Sequence, residues 1–155
     1  MSTYTLLGSD TIQIGNITGL RVLNDFGDGT IAKIEFPEDV AESTIGKNGN
    51  VVIAFKAGGR KANLSELKII KGSQDDQILQ GYVNNYLSDP SRFLMLSGLI
   101  TRNFGDGKGN VRKEIYDLEG GIIKKIPDSE INVSGETQQA YSMYTIIFAY
   151  GERSL

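Results

Sequence analysis

Two stretches of this chain are apolar on both sides when laid out as strands. In residues 140–150, Tyr141, Met143, Thr145, Ile147 and Ala149 fall on one side and Ser142, Tyr144, Ile146, Phe148 and Tyr150 on the other. Successive strand side chains point to opposite faces, so a half-solvated strand alternates apolar with polar. This segment does not, which predicts a central strand covered on both faces. Residues 93–101 repeat the pattern, with Phe93, Met95 and Leu99 opposed to Leu94, Leu96 and Ile100. A buried helix can show a similar run. The Tyr, Thr, Ile and Phe content of the first stretch, and Gly98 inside the second, favour strands.

The remaining pattern predicts short strands joined by turns. Residues 3–7 and 11–14 are strand-like around Gly8-Ser9-Asp10, and residues 31–36 alternate until Pro37 stops them. Residues 37–47 are acidic at first and show no clear period; Asn48-Gly49 then gives a strong hairpin signal before a strand over 51–55. A turn at Ala57-Gly58-Gly59-Arg60 precedes a strand near 62–70. One helix is predicted over 74–87. Ser73 suits its N-cap, and Asp75 and Asp76 suit the positive end of its dipole. Its stripe is Ile78, Leu79, Tyr82, Val83, Tyr86 and Leu87, broad enough to dock on a sheet, and Asp89-Pro90 ends it. Residues 111–118 and 122–126 are expected to form a basic hairpin around Glu119-Gly120-Gly121, carrying Arg112, Lys113, Lys124 and Lys125. Pro127-Asp128-Ser129 is a turn, and residues 133–139, with Ser134-Gly135, lead into the last strand. At least eight strands and one helix predict a mainly β fold, a two-sheet sandwich or barrel with one flanking α-helix, built from all 155 residues as a single domain.

Composition narrows the function classes. The chain has no Cys and no His, which removes disulfides, thiolate nucleophiles, the commonest general base and the commonest transition-metal ligand. A net charge of −3 argues against gripping phosphates of nucleic acid. The first ten residues lack the basic and apolar regions of a signal peptide, so a cytoplasmic protein is expected.

Specific chemistry is hard to place. Gly105-X-Gly107-X-Gly109 is followed by a strand where a phosphate loop needs a helix. A calcium loop begun at Asp106 puts Lys108 at its third ligand and Val111 at its invariant glycine, so it fails. Adjacent pairs such as Glu38 and Asp39 rarely converge on one substrate as catalytic carboxylates. Ser65-Glu66-Leu67-Lys68 matches Ser-X-X-Lys, but its companion motifs are missing, and in a regular strand this spacing puts the two side chains on opposite faces. No enzyme, metal or cofactor is expected. The doubly apolar strands raise a different question: either the helix and loops of the same chain cover the second face, or neighbouring subunits do.

The order of several motifs carries a resemblance. Leu23-Asn24-Asp25-Phe26-Gly27-Asp28-Gly29 is followed by Phe36-Pro37, Gly46-Lys47-Asn48-Gly49-Asn50 and Gly58-Gly59-Arg60. Then come the aspartate-led helix after Gly72-Ser73, the loop Gly105-Asp106-Gly107-X-Gly109-Asn110-Val111, and Gly135-Glu136-Thr137-Gln138-Gln139-Ala140 before the terminal strand. Over roughly residues 20–150 this resembles bacteriophage tail tube proteins, in particular those of myophage-type tails, whose fold is shared by type VI secretion tube proteins.

The resemblance implies six-membered rings that stack into a hollow tube within the virion tail, assembled in the host cytoplasm. It implies contacts with sheath, tape measure, baseplate and tail terminator proteins, and DNA passing through without specific binding. Excess negative charge in the lumen would let that DNA slide. Ring-stacking or inter-subunit contacts are expected at Pro37, Glu38, Asp39, Glu42, Lys47 and Asn48 and at the termini, and at the basic positions Arg112, Lys113, Lys124 and Lys125, which should face outward or pair with acids. A stand-alone binding sandwich, with no Trp to anchor a ligand, and a hydrolase or isomerase using only Asp and Glu are the alternatives.

Overall fold

The terminal strand is central. In the computed structural model, which describes residues 3–135 and 140–155, ten strands and one α-helix follow in order: β1 (Thr5–Leu6), β2 (Thr11–Asn16), β3 (Gly19–Val22), β4 (Lys33–Glu35), β5 (Ala41–Ile45), β6 (Val51–Phe55), β7 (Ala62–Ile70), α1 (Gln74–Ser88), β8 (Leu96–Gly105), β9 (Val111–Ile123) and β10 (Tyr141–Ser154). Eight strands form one antiparallel sheet in the order β3-β2-β8-β9-β10-β7-β4, with β1 extending the β2 edge of β8. β5 and β6 form a separate two-stranded sheet. The fold is mainly β, as the pattern predicts. Residues 136–139, expected to lead into the last strand, lie outside the described residues.

One crossing segment joins the two edges of the large sheet. β3 pairs with β2, and within a few residues the chain reaches the far edge of β7: Asp25 O accepts from Ile70 N at 2.9 Å, and Gly27 N donates to Lys68 O at 3.1 Å. Phe26 bridges to Ile69, and β4 continues along the same edge from Lys33, opposite Ser65. The chain thereby links the two edge strands β3 and β4, each paired on one side, and residues of β2, β4, β8 and β9 converge on one hollow, so the sheet is rolled into an open barrel.

The inward face holds one core. It takes Ala62, Leu64, Leu67 and Ile69 from β7, Leu96 and Ile100 from β8, Leu118 and Ile123 from β9, and Tyr144, Ile146 and Phe148 from β10. Leu79 and Val83 of α1 join that core, so the helix covers the inside of the rolled sheet. The helix stripe is narrower than expected: Leu87 is exposed. Along the outward face of β10 the side chains of Lys68 and Arg60 lie over Tyr141 and Tyr150, while Met143 and Ile147 remain exposed. Among the described residues, cover of the second face within the chain is therefore only partial.

Two bulges reset which residues point inward. Glu66 has φ +54°, and the β7–β10 register changes between Tyr144, opposite Leu67, and Ile146, opposite Leu64. Ser65 and Lys68 therefore share the outward face, which corrects the opposite-face expectation. The Lys68 ammonium binds the Asp28 carbonyl at 3.0 Å and lies over the Tyr141 ring.

The second bulge corrects the basic hairpin. Residues 111–123 run as one strand through Gly120 and Gly121. Gly120 supplies φ +68°, and a Cβ on Gly121 would come within 2.5 Å of the Phe148 ring. The glycine pair thus bends a continuous strand over Phe148, where the sequence suggested a turn.

Asp75 has a larger role than helix-dipole compensation. It is fully buried; the Asn24 and Asp25 N–H groups donate to its Oδ2 at 2.7 and 2.9 Å, and Arg21 Nε donates to its Oδ1 at 3.0 Å. Burial pushes its pKa up, but the two N–H donors and the guanidinium outweigh burial and hold the carboxyl below its ordinary value. It ties the helix to the crossing segment. Asp75→Asn should cost roughly 3 kcal/mol in urea unfolding at pH 7, because it leaves Arg21 unpaired and turns an amide toward two donors. A depressed folded pKa stabilises above the unfolded value of about 3.9 and is lost as pH falls through the folded one. The wild-type and variant stabilities should converge as acidification takes the pH down through the lowered folded pKa; a constant gap would mean that the charge is not the cause.

Candidate functional site

The acidic, aperiodic stretch after Pro37 builds an arm. Residues 41–45 and 51–55 pair as a ribbon around the Asn48-Gly49 turn, where Gly49 has φ +83° and Gly46 N donates to Asn50 O at 2.7 Å. Cross-strand partners share a face. Ala41 lies opposite Phe55, Ser43 opposite Ile53 and Ile45 opposite Val51, which makes one face apolar. Glu42 opposite Ala54 and Thr44 opposite Val52 make the other face mixed, and Glu42 pairs with Lys56 there.

Nothing among the described residues covers the apolar face: Ile45 is 75% and Phe55 84% exposed. An isolated two-stranded hairpin is only marginally stable in water. The arm is attached firmly at its base. Lys56 N donates to Val40 O at 2.8 Å, Glu38 pairs with Lys61 at 3.6 Å, and buried Gly59 lies so close that a Cβ would meet the Val40 Cα at 2.7 Å.

The predicted contact residues separate into groups. Pro37, Glu38, Asp39, Glu42, Lys47 and Asn48 are all exposed, and all lie on the arm or its base. Arg112 and Lys113 are exposed at the start of β9, opposite Phe104 and Asn103. Lys124 and Lys125 follow the end of that strand, where Lys125 pairs with Asp128 at 2.9 Å. A strand rises about 3.3 Å per residue, so the two basic pairs stand roughly 35–40 Å apart and form no single patch. By alternation Arg112 lies on the inward side and Lys113 on the outward side.

A second apolar surface lies on the outside of the sheet. A groove of about 600 Å³ runs past Ile17, Leu94, Met95, Ala149 and Tyr150. Glu119 lines it, and Asp117 and Glu152 lie directly opposite each other further along the same outward face. Sequence reasoning missed the buried pair at the other end of these strands. Glu114 is buried and accepts from Arg153 Nε at 2.8 Å, an interaction that raises the Arg153 pKa. Residues 39 positions apart carry no local signal of such a pair.

Among the described residues, no cluster of three or more acidic side chains could hold a metal ion, and no helix is long and apolar enough to cross a membrane. No family model matches the chain, and no curated protein matches it.

Gly59→Val should detach the arm without unfolding the sheet. Its side chain would overlap the Val40 backbone, which cannot swing aside as a side chain can. Hydrogen–deuterium exchange should show residues 40–56 losing protection while β8, β9 and β10 keep theirs. Equal loss throughout would mean that the arm base is part of the global fold.

Proposed function

We propose that this chain is a self-assembling structural subunit of the tail-tube type, six copies closing into a ring and rings stacking into a hollow tube that conducts phage DNA. The observation that carries the proposal is the arm: a ribbon with one largely apolar face, uncovered among the described residues and fixed at its base to a well-packed core. A second copy of the same chain can supply the cover. Contact between an arm on one copy and a different surface on the next is head-to-tail, and such contacts close into rings or grow into filaments.

The outward sheet face supports the same reading. Its exposed Met143 and Ile147 are suited to partial cover by neighbours. Acids and bases are mixed on it, with Asp117, Glu119 and Glu152 beside Lys68, Lys113 and Arg60. The motif order supports the assignment to tail tubes, and with it come stacked rings in a virion tail and neighbours such as sheath, tape measure, baseplate and tail terminator. Lys47 and Asn48 at the arm tip, and Pro37, Glu38, Asp39 and Glu42 near its base, are the ring-stacking positions in this reading. Arg112, Lys113, Lys124 and Lys125 pair with acids of adjacent copies.

Negative-stain electron microscopy and light scattering test the proposal on one sample. Hollow rings or tubes with sixfold end views are expected; a strict monomer at every concentration overturns it. Ile53→Asp, on the apolar face of the arm, should abolish assembly while shifting the melting temperature of the barrel by no more than about 2 °C. Thr44→Asp, on the opposite face, should leave assembly intact. Equal effects of the two would exclude the apolar face as the contact.

A further inference from the structure

The two ends of the barrel differ, and the open end has the makings of a ligand site. One end carries α1, whose Tyr86 hydroxyl donates to the Ile123 carbonyl at 3.1 Å. The other end opens between β4 and its lead-in on one side and β2, β8 and β9 on the other, enclosing a cavity of about 390 Å³. Ile12 and Ile100 form its floor and belong to the core. Ile31, Ala32, Ile34 and Tyr116 form its walls and are only partly buried. Barrel mouths lined by apolar side chains with a few convergent polar groups are a common setting for small-molecule sites.

The polar group that stands out is Arg102. By register it faces the same side as Glu114, directly across on β9. The Glu114 carboxylate is already engaged by Arg153, and the other cation at the rim, Lys33, is held by Glu35 at 2.8 Å. Arg102 has an ion pair with Asp10 at 3.6 Å, too long for a hydrogen bond, and its guanidinium lies 5.9 Å from the centre of the Phe104 ring. Among the described residues its N–H donors make no hydrogen bond, so a fork suited to bidentate recognition of a carboxylate is left open beside an apolar hollow.

We propose that the barrel mouth binds an amphipathic carboxylate, its apolar chain lying against Ile31, Ile34 and Tyr116 and its head on Arg102. The shared chemistry could come from a free fatty acid or from the carboxyl-terminal end of an apolar peptide. The hollow has room for about ten to twelve carbon-sized groups, judged against the roughly 30 Å³ that one water occupies in the liquid. Asp10 opposes the head and weakens binding. The inference does not rest on the assembly reading, since an isolated barrel and a ring subunit would both carry this mouth.

Calorimetry on the full chain with decanoate, below its micelle-forming concentration, should give saturable one-site binding. Decanol and decyltrimethylammonium should each bind at least about tenfold more weakly, the loss expected when a charge-assisted pair is removed. An acetylated peptide ending in Leu-Leu, tested alongside, separates the two sources: the tighter ligand identifies the natural class. Arg102→Gln should weaken decanoate about tenfold and Asp10→Asn should tighten it, while Ala32→Trp, which fills the hollow, should abolish it. Circular dichroism melting confirms that each variant is folded. No saturable binding of decanoate or peptide overturns the proposal, as does unchanged decanoate affinity in a folded Ala32→Trp. Equal binding of decanol and decanoate overturns the role of Arg102.

Discussion

The rolled sheet depends on a crossing between its two edges, and that crossing depends on one buried carboxylate. Residues 23–31 must leave the β2–β3 edge, pass the N-terminus of α1 and run along β7. Backbone that changes edges has N–H groups which no ladder can use, and burying them unpaired would cost about 1–3 kcal/mol each. Asp75 accepts from two of them, while its own backbone N–H donates to Asp25 Oδ2 at 3.4 Å. Asp76, one residue on, accepts from Gly72 N at 2.8 Å and from the hydroxyl of Tyr144. Burial and then the Asp76 carboxylate raise the Tyr144 pKa and keep its phenol protonated as a donor. Two consecutive aspartates therefore join the helix to the crossing on one side and to the central strand on the other.

Most of the large sheet was legible in the sequence because its strands are long and strongly apolar. The span of β7 and the centrality of β10 follow from composition and alternation alone, and the helix follows from its cap, stripe and terminating Asp-Pro. What failed were the places where a strand breaks its own period. Glu66 adopts a left-handed conformation with no glycine to announce it, so the expected faces of Ser65 and Lys68 came out wrong. Gly120-Gly121 carries the letters of a turn but serves as a seat for the Phe148 ring, and only tertiary packing separates the two. β5 escaped notice because its apolar face begins with Ala41 and Ser43, whose small side chains give almost no periodic signal.

The candidate contact residues were legible to a different degree. The stretch after Pro37 stood out through its charge and its turn, and it does form an exposed arm, yet the apolar face that gives the arm its interest sits on Ile45, within the aperiodic stretch, and on Val51, Ile53 and Phe55, which read as an ordinary strand after the turn. The four basic residues looked like one feature only because the strand carrying them was expected to fold back on itself. Extended, the strand sends Arg112 and Lys113 to one end of the sheet and Lys124 and Lys125 to the other. Electrostatic clusters depend on topology more than on spacing along the chain, since at physiological salt exposed charges separated by more than about 8 Å are largely screened from each other.

The distribution of apolar surface links these parts. A chain of this size has enough hydrophobic residues to fill one core, and here the inside of the rolled sheet takes Tyr144, Phe148 and their neighbours at near-zero exposure. Part of the surplus gathers in three places, the outward groove, the arm and the open mouth, while residues such as Leu6, Leu87 and Ile131 are exposed elsewhere. The scattered ones are ordinary for a protein surface. The arm, by contrast, has all its large apolar side chains but Val52 on one face, and the mouth has its walls converging on a single arginine. Both arrangements cost the isolated chain stability, because each leaves apolar area in water that polar substitution would relieve at no loss to the core. An arm too thin to bury its own face gains from contact with a broad surface, which is what a second folded subunit offers. A concavity with one open donor fork instead gains from something narrow with a charged end. The shape of each surface thus separates a protein-sized partner from a small one.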